Sequence, residues 1–165
     1  MRRAILLAFL GSIALVACSG AAPTTSSQAA DLQRQVDTLA IEQIEVKWHE
    51  ASSKQDLDEM MSLWADNATF TVGGQTYTGK DQIRTFFQTK AAPFQPGTNW
   101  VSDTPAYKVR LTIDGDKGTL YFECDYIDPA TKKVVNVVGA DQSVARINGV
   151  WLITNSVAAA PVLGL

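Results

Sequence analysis

Between Asp31 and about Ser53, the apolar residues Leu32, Val36, Leu39, Ile44, Trp48 and Ala51 recur near one face of a helix. That spacing predicts a long amphipathic helix with the six side chains turned inward. A second helix is expected from Asp56, where an aspartate followed three residues later by Glu59 offers an N-cap; Leu57, Met60, Met61 and Trp64 then face inward. Ala68 to Val72 and Gln75 to Tyr77 are short extended runs joined by Gly73-Gly74, a pair that permits the positive φ angles of a tight hairpin. Thr78 and Asp81 have the spacing of a capping box ahead of Ile83, Phe86 and Phe87 on one face of a third helix.

The second half changes period. Extended runs are expected at about 98–103, 106–113, 118–127, 134–146 and 150–158, with Asp114-Gly115 and Asn148-Gly149 as hairpin turns and Asp128-Pro129 opening another reversal. Three helices followed by an antiparallel meander make an α+β fold, the helices covering one face of a strongly curved antiparallel sheet. A lipocalin-like barrel is the alternative, and it is disfavoured because three helices precede the main run of strands.

The chain begins differently. Met1-Arg2-Arg3 is basic, Ala4 to Ala14 is apolar, and small residues lead into Cys18, the three-part layout of an export signal. The run is shorter than the roughly 20 apolar residues of a membrane span. Leu15-Val16-Ala17-Cys18 resembles the bacterial lipobox, which implies cleavage after residue 17 and lipid on Cys18. Ser19 resembles outer-membrane sorting, so the expected location is the bacterial cell envelope, anchored in the outer membrane and facing the periplasm. The alternative is an ordinary signal with an incidental cysteine. Residues 1–17 are thus read as signal peptide, 18–30 as lipidated cysteine and flexible Ala/Ser/Thr/Pro tether, 31–158 as one domain and 159–165 as an apolar tail.

Loss of Arg2 and Arg3 leaves twelve basic against seventeen acidic residues and no basic cluster, so nucleic acid is not an expected partner. With Cys18 lipidated, Cys124 stands alone and reads as a buried, inert thiol in Leu120-Tyr121-Phe122-Glu123-Cys124. One histidine and scattered carboxylates make no metal cluster at recognisable spacing, and no glycine-rich phosphate loop is present; no metal and no cofactor are expected.

Asp56-Leu57-Asp58, Leu63 to Phe70, Tyr77 to Phe87 and the closing Asn148-Gly149-Val150-Trp151-Leu152-Ile153 resemble the nuclear transport factor two-like superfamily, which includes ketosteroid isomerases and SnoaL-like cyclases. The resemblance covers about Ile41 to Ser156 and implies a cone-shaped half-barrel around an apolar pocket. It also implies where an isomerase would hold its groups, and the matching residues differ. The carbonyl-polarising tyrosine is Trp48, the aspartate base falls near Val72, and the acid of the penultimate strand falls near Ser143, with Asp141 two residues earlier. Relatives that use two pocket histidines are not matched, since His49 is alone; adjacent to Trp48, it is expected on the solvated side of the first helix.

Trp48, Trp64, Phe70, Phe86, Phe122 and Tyr126 are the candidate pocket residues, with core filling as the alternative, and Trp100 and Tyr107 are candidates for its rim. Asp66 reads as a turn cap, and Glu123 and Asp125 as solvated residues on the face opposite Phe122 and Cys124. Three functions remain open. The first is a membrane-anchored domain that binds a small apolar ligand or plays an accessory role without its own catalysis. The second is an isomerase, cyclase or hydrolase in which Asp141 moves a proton, with His49 or Tyr126 as hydrogen-bond donor. The third is an interaction module that pairs as a homodimer through the open face of its sheet.

Overall fold

The structure, a computed structural model, describes residues 25–159. The signal segment, Cys18, the first part of the tether and residues 160–165 of the apolar tail lie outside the described residues. Helix α1 (Thr25–Lys54) starts inside the stretch read as a tether, ahead of the predicted Asp31. Its buried face is Asp37, Ile41, Ile44, Trp48, Ala51 and Ser52, whereas Leu32, Val36 and Leu39 are exposed. The single predicted stripe is therefore two stripes. At 100° per residue, the two-residue step from Leu39 to Ile41 turns about 200°, so the early residues project away from the domain that the later ones join.

Helix α2 (Leu57–Ser62) is capped as expected, Asp56 Oδ1 accepting from the Glu59 amide at 2.9 Å. Strands β1 (Trp64–Val72) and β2 (Gln75–Thr78) are joined through Gly73 and Gly74 at φ 57° and 76°. Helix α3 (Lys80–Thr89) departs from the predicted capping box: its N-cap is Gly79 at φ 83° with no side-chain cap, and the Thr78 amide donates to Gln82 Oε1 instead. A 3-10 turn at Ala92–Phe94 leads to β3 (Val101–Asp103), and a second at Ala106–Lys108 replaces the start of the strand expected from residue 106. Strands β4 (Arg110–Asp114), β5 (Lys117–Asp128), β6 (Lys133–Ile147) and β7 (Val150–Ala159) complete the chain.

The strands lie in the order β2-β1-β7-β6-β5-β3, with β4 also on β5. Every pairing is antiparallel except β1 with β7, so the sheet is mixed and unclosed. Register irregularities at Tyr126/Ile127 and Ser143/Val144 fall within the longest pairings, where extra residues bend a strand. The helices cover the inner face, on which Leu120, Phe122, Cys124 and Tyr126 of β5 align with Gln142, Ala140, Val138 and Asn136 of β6. At Gly118, a Cβ would meet the Thr112 carbonyl oxygen at 2.4 Å and Ile41 Cδ1 at 3.5 Å, so only glycine lets β5 pass there.

Aromatic rings fill the centre. Trp48 lies 5.7, 5.5 and 5.6 Å from Trp64, Phe87 and Phe122 between ring centroids, spacings at which tilted and edge contacts add to burial. A polar clamp fixes α1 at the other end of its buried stretch. Asp37 accepts from Trp151 Nε1 at 3.0 Å, Arg146 Nη2 at 2.6 Å and Gln33 Nε2 at 3.0 Å. Burial works against a charge on Asp37, but the bonds from Trp151 and Gln33 and the Arg146 guanidinium outweigh it and hold its pKa below the usual carboxylate value.

Candidate functional site

Between α1, α3 and the inner face of the sheet lies a cavity of about 160 Å³. Trp48 of α1, Phe70 and Val72 of β1, Phe86 and Phe87 of α3, Pro93 of the first 3-10 turn, Cys124 and Tyr126 of β5 and Val138 of β6 line it. Each strand contributes alternate residues because successive side chains point to opposite faces. Lys90 is the one charged residue of the lining, and it also bonds the Tyr77 hydroxyl at 3.0 Å.

Four of the six predicted pocket residues meet here: Trp48, Phe70, Phe86 and Tyr126. Trp64 and Phe122 are instead fully buried in the core behind Trp48 and do not line the cavity. Phe87, Pro93 and Val138 were missed. Phe87 shares the apolar face of α3 with Ile83 and Phe86, so periodicity marked it as inward, but only its place beside Trp48 puts it on the wall. Trp100 packs on Tyr126 at 5.9 Å, whereas Tyr107 is exposed and takes no part.

The deep polar groups are weakly acidic and short of partners. Burial pushes the Cys124 thiol up to about 12 and raises the Tyr126 phenol well above its ordinary value, so both are neutral at physiological pH. Trp48 Nε1 and Ser52 Oγ are buried without a well-aligned hydrogen bond, yet both lie close enough to the Tyr126 phenol to oppose the rise in its pKa. Val72 contributes a methyl-bearing wall and no proton acceptor.

Asp141 lies on the other side of the sheet. It is exposed, pairs across from Tyr121, and lines an open depression of about 440 Å³ with Arg110, Tyr121 and Ser143. The inward position of β6 is Gln142, buried opposite Ser156, and neither its amide nor the Ser156 hydroxyl has a partner. Asp141 and Ser143 thus share the outer face, and Gln142 between them the inner one, as a period of two requires.

His49 is buried, at 7% exposure, rather than solvated. The turn away from Trp48 leads it to edge strand β3 and the Phe122 ring, not to water. Nδ1 lies 2.7 Å from Ser102 Oγ, and Nε2 lies 2.5 Å from Thr104 Oγ1 and 3.1 Å from Glu45 Oε1. Thr104 spends its hydroxyl proton on the Glu123 carbonyl, so the proton between it and the imidazole belongs to Nε2, and in the neutral ring Nδ1 accepts from Ser102. Ser53 Oγ reinforces this seam by accepting from the Ser102 amide at 2.8 Å. The group ties α1 to β3, and Ser102 lines none of the cavity.

The remaining acids differ from expectation too. Glu123 is not solvated: Lys108 and Tyr121 bond it, and the Lys108 bond, with burial opposing, holds its pKa below the usual value. Burial raises the Asp125 carboxyl, Lys108 opposes, and Glu123 and Asp103 add to the rise. Asp66 caps no turn; it stands exposed on β1 and pairs with Lys80 at 3.3 Å.

Comparison with known proteins places this architecture. An NTF2-like protein with a cystatin-like fold from Novosphingobium aromaticivorans superposes with a TM-score of 0.74 at 16% identity, covering 87% of this chain and 94% of that one. An NTF2-like protein of unknown function from Pseudomonas putida gives 0.63 at 15% identity over 73% and 84%. The hexachlorocyclohexane dehydrochlorinase LinA-type3 from Novosphingobium barchaimii gives 0.63 at 18% identity over 82% and 96%. Likeness at these identities extends to the fold. No curated protein sequence matches this one. A profile described as a SnoaL-like domain matches residues 46–149, more than half of the chain, and with the cone of helices and sheet around an aromatic cavity this assigns the protein to the SnoaL-like family of the nuclear transport factor two-like superfamily.

Proposed function

We propose that the cavity binds a small, largely apolar molecule with a ring of about six to ten heavy atoms, and that the domain does so while held to the cell envelope by lipid on Cys18. The observation that carries this reading is the lining itself: aromatic and aliphatic walls without a carboxylate or histidine, in which Lys90, Asn136, the Tyr126 phenol, the Cys124 thiol and the Trp48 indole are the polar groups. A cavity near 150 Å³ holds a benzene-sized ring, and the Trp48 indole N–H, which makes no well-aligned hydrogen bond, favours a ligand that carries one acceptor. The pocket-carboxylate enzyme loses support because Asp141 is on the outer face and His49 is engaged with β3.

Native mass spectrometry of the chain released from bacterial membranes in mild detergent tests the reading, together with titration by nitrobenzene followed through tryptophan emission. We expect a retained adduct or saturable quenching in the wild type, and loss of at least about tenfold in affinity when Val138→Trp fills the cavity. Equal binding by the Val138→Trp protein, or no quenching at millimolar probe, overturns it.

A further inference from the structure

Ten large apolar side chains are exposed among the described residues, and four of them, Leu32, Val36, Leu39 and Val46, stand on one stripe of α1 at 61%, 58%, 61% and 46% exposure. Their spacing is that of a heptad: Leu32, Leu39 and Val46 occupy d, Val36 occupies a, and Ala29 and Gln43 complete the a positions. Asp37, Ile41, Ile44 and Trp48, which join α1 to its own domain, fall at b and f. Leu32, Val36 and Leu39 therefore point away from the domain, and Val46, below them, stands at the rim of an open depression that it shares with Thr104, Ala106 and Val109.

We propose that this stripe pairs with the same stripe of a second copy of the chain, as a short parallel two-stranded coiled coil. A β-branched residue at a with leucine at d favours two parallel strands, and one polar a residue, Gln43, fixes register at a cost in stability. The charges select the direction. Glu42 is at g and Lys47 at e, five residues on, so a parallel pair sets each Glu42 beside the partner copy's equivalent of Lys47. Among the described residues, neither makes an ion pair within its own chain. An antiparallel pair would set g against g and e against e, leaving these charges apart.

Two features reduce the cost of so short a seam. The helix is held by its own domain from Asp37 onward, so less of it must be ordered on pairing. If Cys18 is lipidated as proposed above, the seven residues from there to Thr25 span at most about 25 Å. Two anchored copies would then enter the seam at the same level and at raised effective concentration. The heptad and the charges stand without the anchor.

The test is oxidative cross-linking of the full-length chain in bacterial cells, using single substitutions Val36→Cys and Gln43→Cys at a, Arg34→Cys at f, and Ser143→Cys on the outer face of the sheet. The unsubstituted chain reports any bond through Cys18, which separates failure of lipidation from failure of pairing; the buried Cys124 is out of reach. Covalent dimers are expected at both a positions and not at f. In the Val36→Cys chain, Lys47→Glu should lower the yield about tenfold, and adding Glu42→Lys should restore it by exchanging the two charges. Yields at a no higher than at Arg34→Cys overturn the proposal. Bonds at Ser143→Cys alone overturn it in favour of pairing through the sheet, and protection of both a-position thiols by membranes without any bond overturns it in favour of a stripe lying on the bilayer.

Discussion

Asp37 shows how one side chain sets a condition on the whole helix. Its carboxylate receives an indole, a guanidinium and an amide, and replacing it by alanine strands the buried Trp151 indole and leaves the partly exposed Arg146 with Asp116 alone, 3.1 Å away. Asp37→Ala should cost about 2–3 kcal/mol in urea unfolding at neutral pH. The pH dependence has a fixed sign. Because the native carboxyl has a lower pKa than the unfolded one, its stabilisation is complete above the ordinary carboxylate range, near pH 4, and is lost as pH falls through the lowered native value. The same titration in Asp37→Asn should therefore fall less steeply below about pH 4; an unchanged slope would assign acid sensitivity to other groups such as Glu123. His49 carries the opposite lesson. Its position on α1 was readable, but its burial depended on a strand more than fifty residues away in sequence.

Among the elements, those with local signals were legible and those closed by distant contacts were not. The Asp56 cap, the Gly73-Gly74 turn and the Asn148-Gly149 turn, at φ 51° and 83°, follow from side-chain and backbone chemistry within a few residues. The alternation Leu120, Phe122, Cys124, Tyr126 gave the inner face of β5 correctly. Helix α1 misled because two apolar stripes on one helix look like one broad stripe in sequence. The parallel pairing of β1 with β7 joins the two ends of the domain and has no short-range signature. The cavity was half visible for the same reason: aromatic residues on inward faces can be named, but whether a ring such as Trp64 fills the core or borders space depends on all its neighbours together. The division of α1 is measurable. In dilute monomer, amide exchange should be fast over residues 26–36 and slow over 41–52, by several orders of magnitude in protection; uniform protection there would mean that the first half docks on its own domain.

As a molecule, the chain combines a rigid cone with a projecting helix that points toward the proposed anchor. Among the described residues, no helix is long and apolar enough to cross a membrane, and the proposed lipid on Cys18 is open to a direct test. Detergent-phase partitioning should retain the full-length chain and release a Cys18→Ser variant; equal partitioning would remove the lipid from the account. The clamp at Asp37 then has a mechanical meaning. The exposed part of α1 ahead of it is a spar about 18 Å long, stepped into the domain at one carboxylate. A sideways load at its tip is borne at that fulcrum, where the grip on Trp151 and Arg146 slackens only as pH falls below the ordinary carboxylate range, so on the proposed anchoring the spar would hold the cone stiffly at neutral pH and give way in acid.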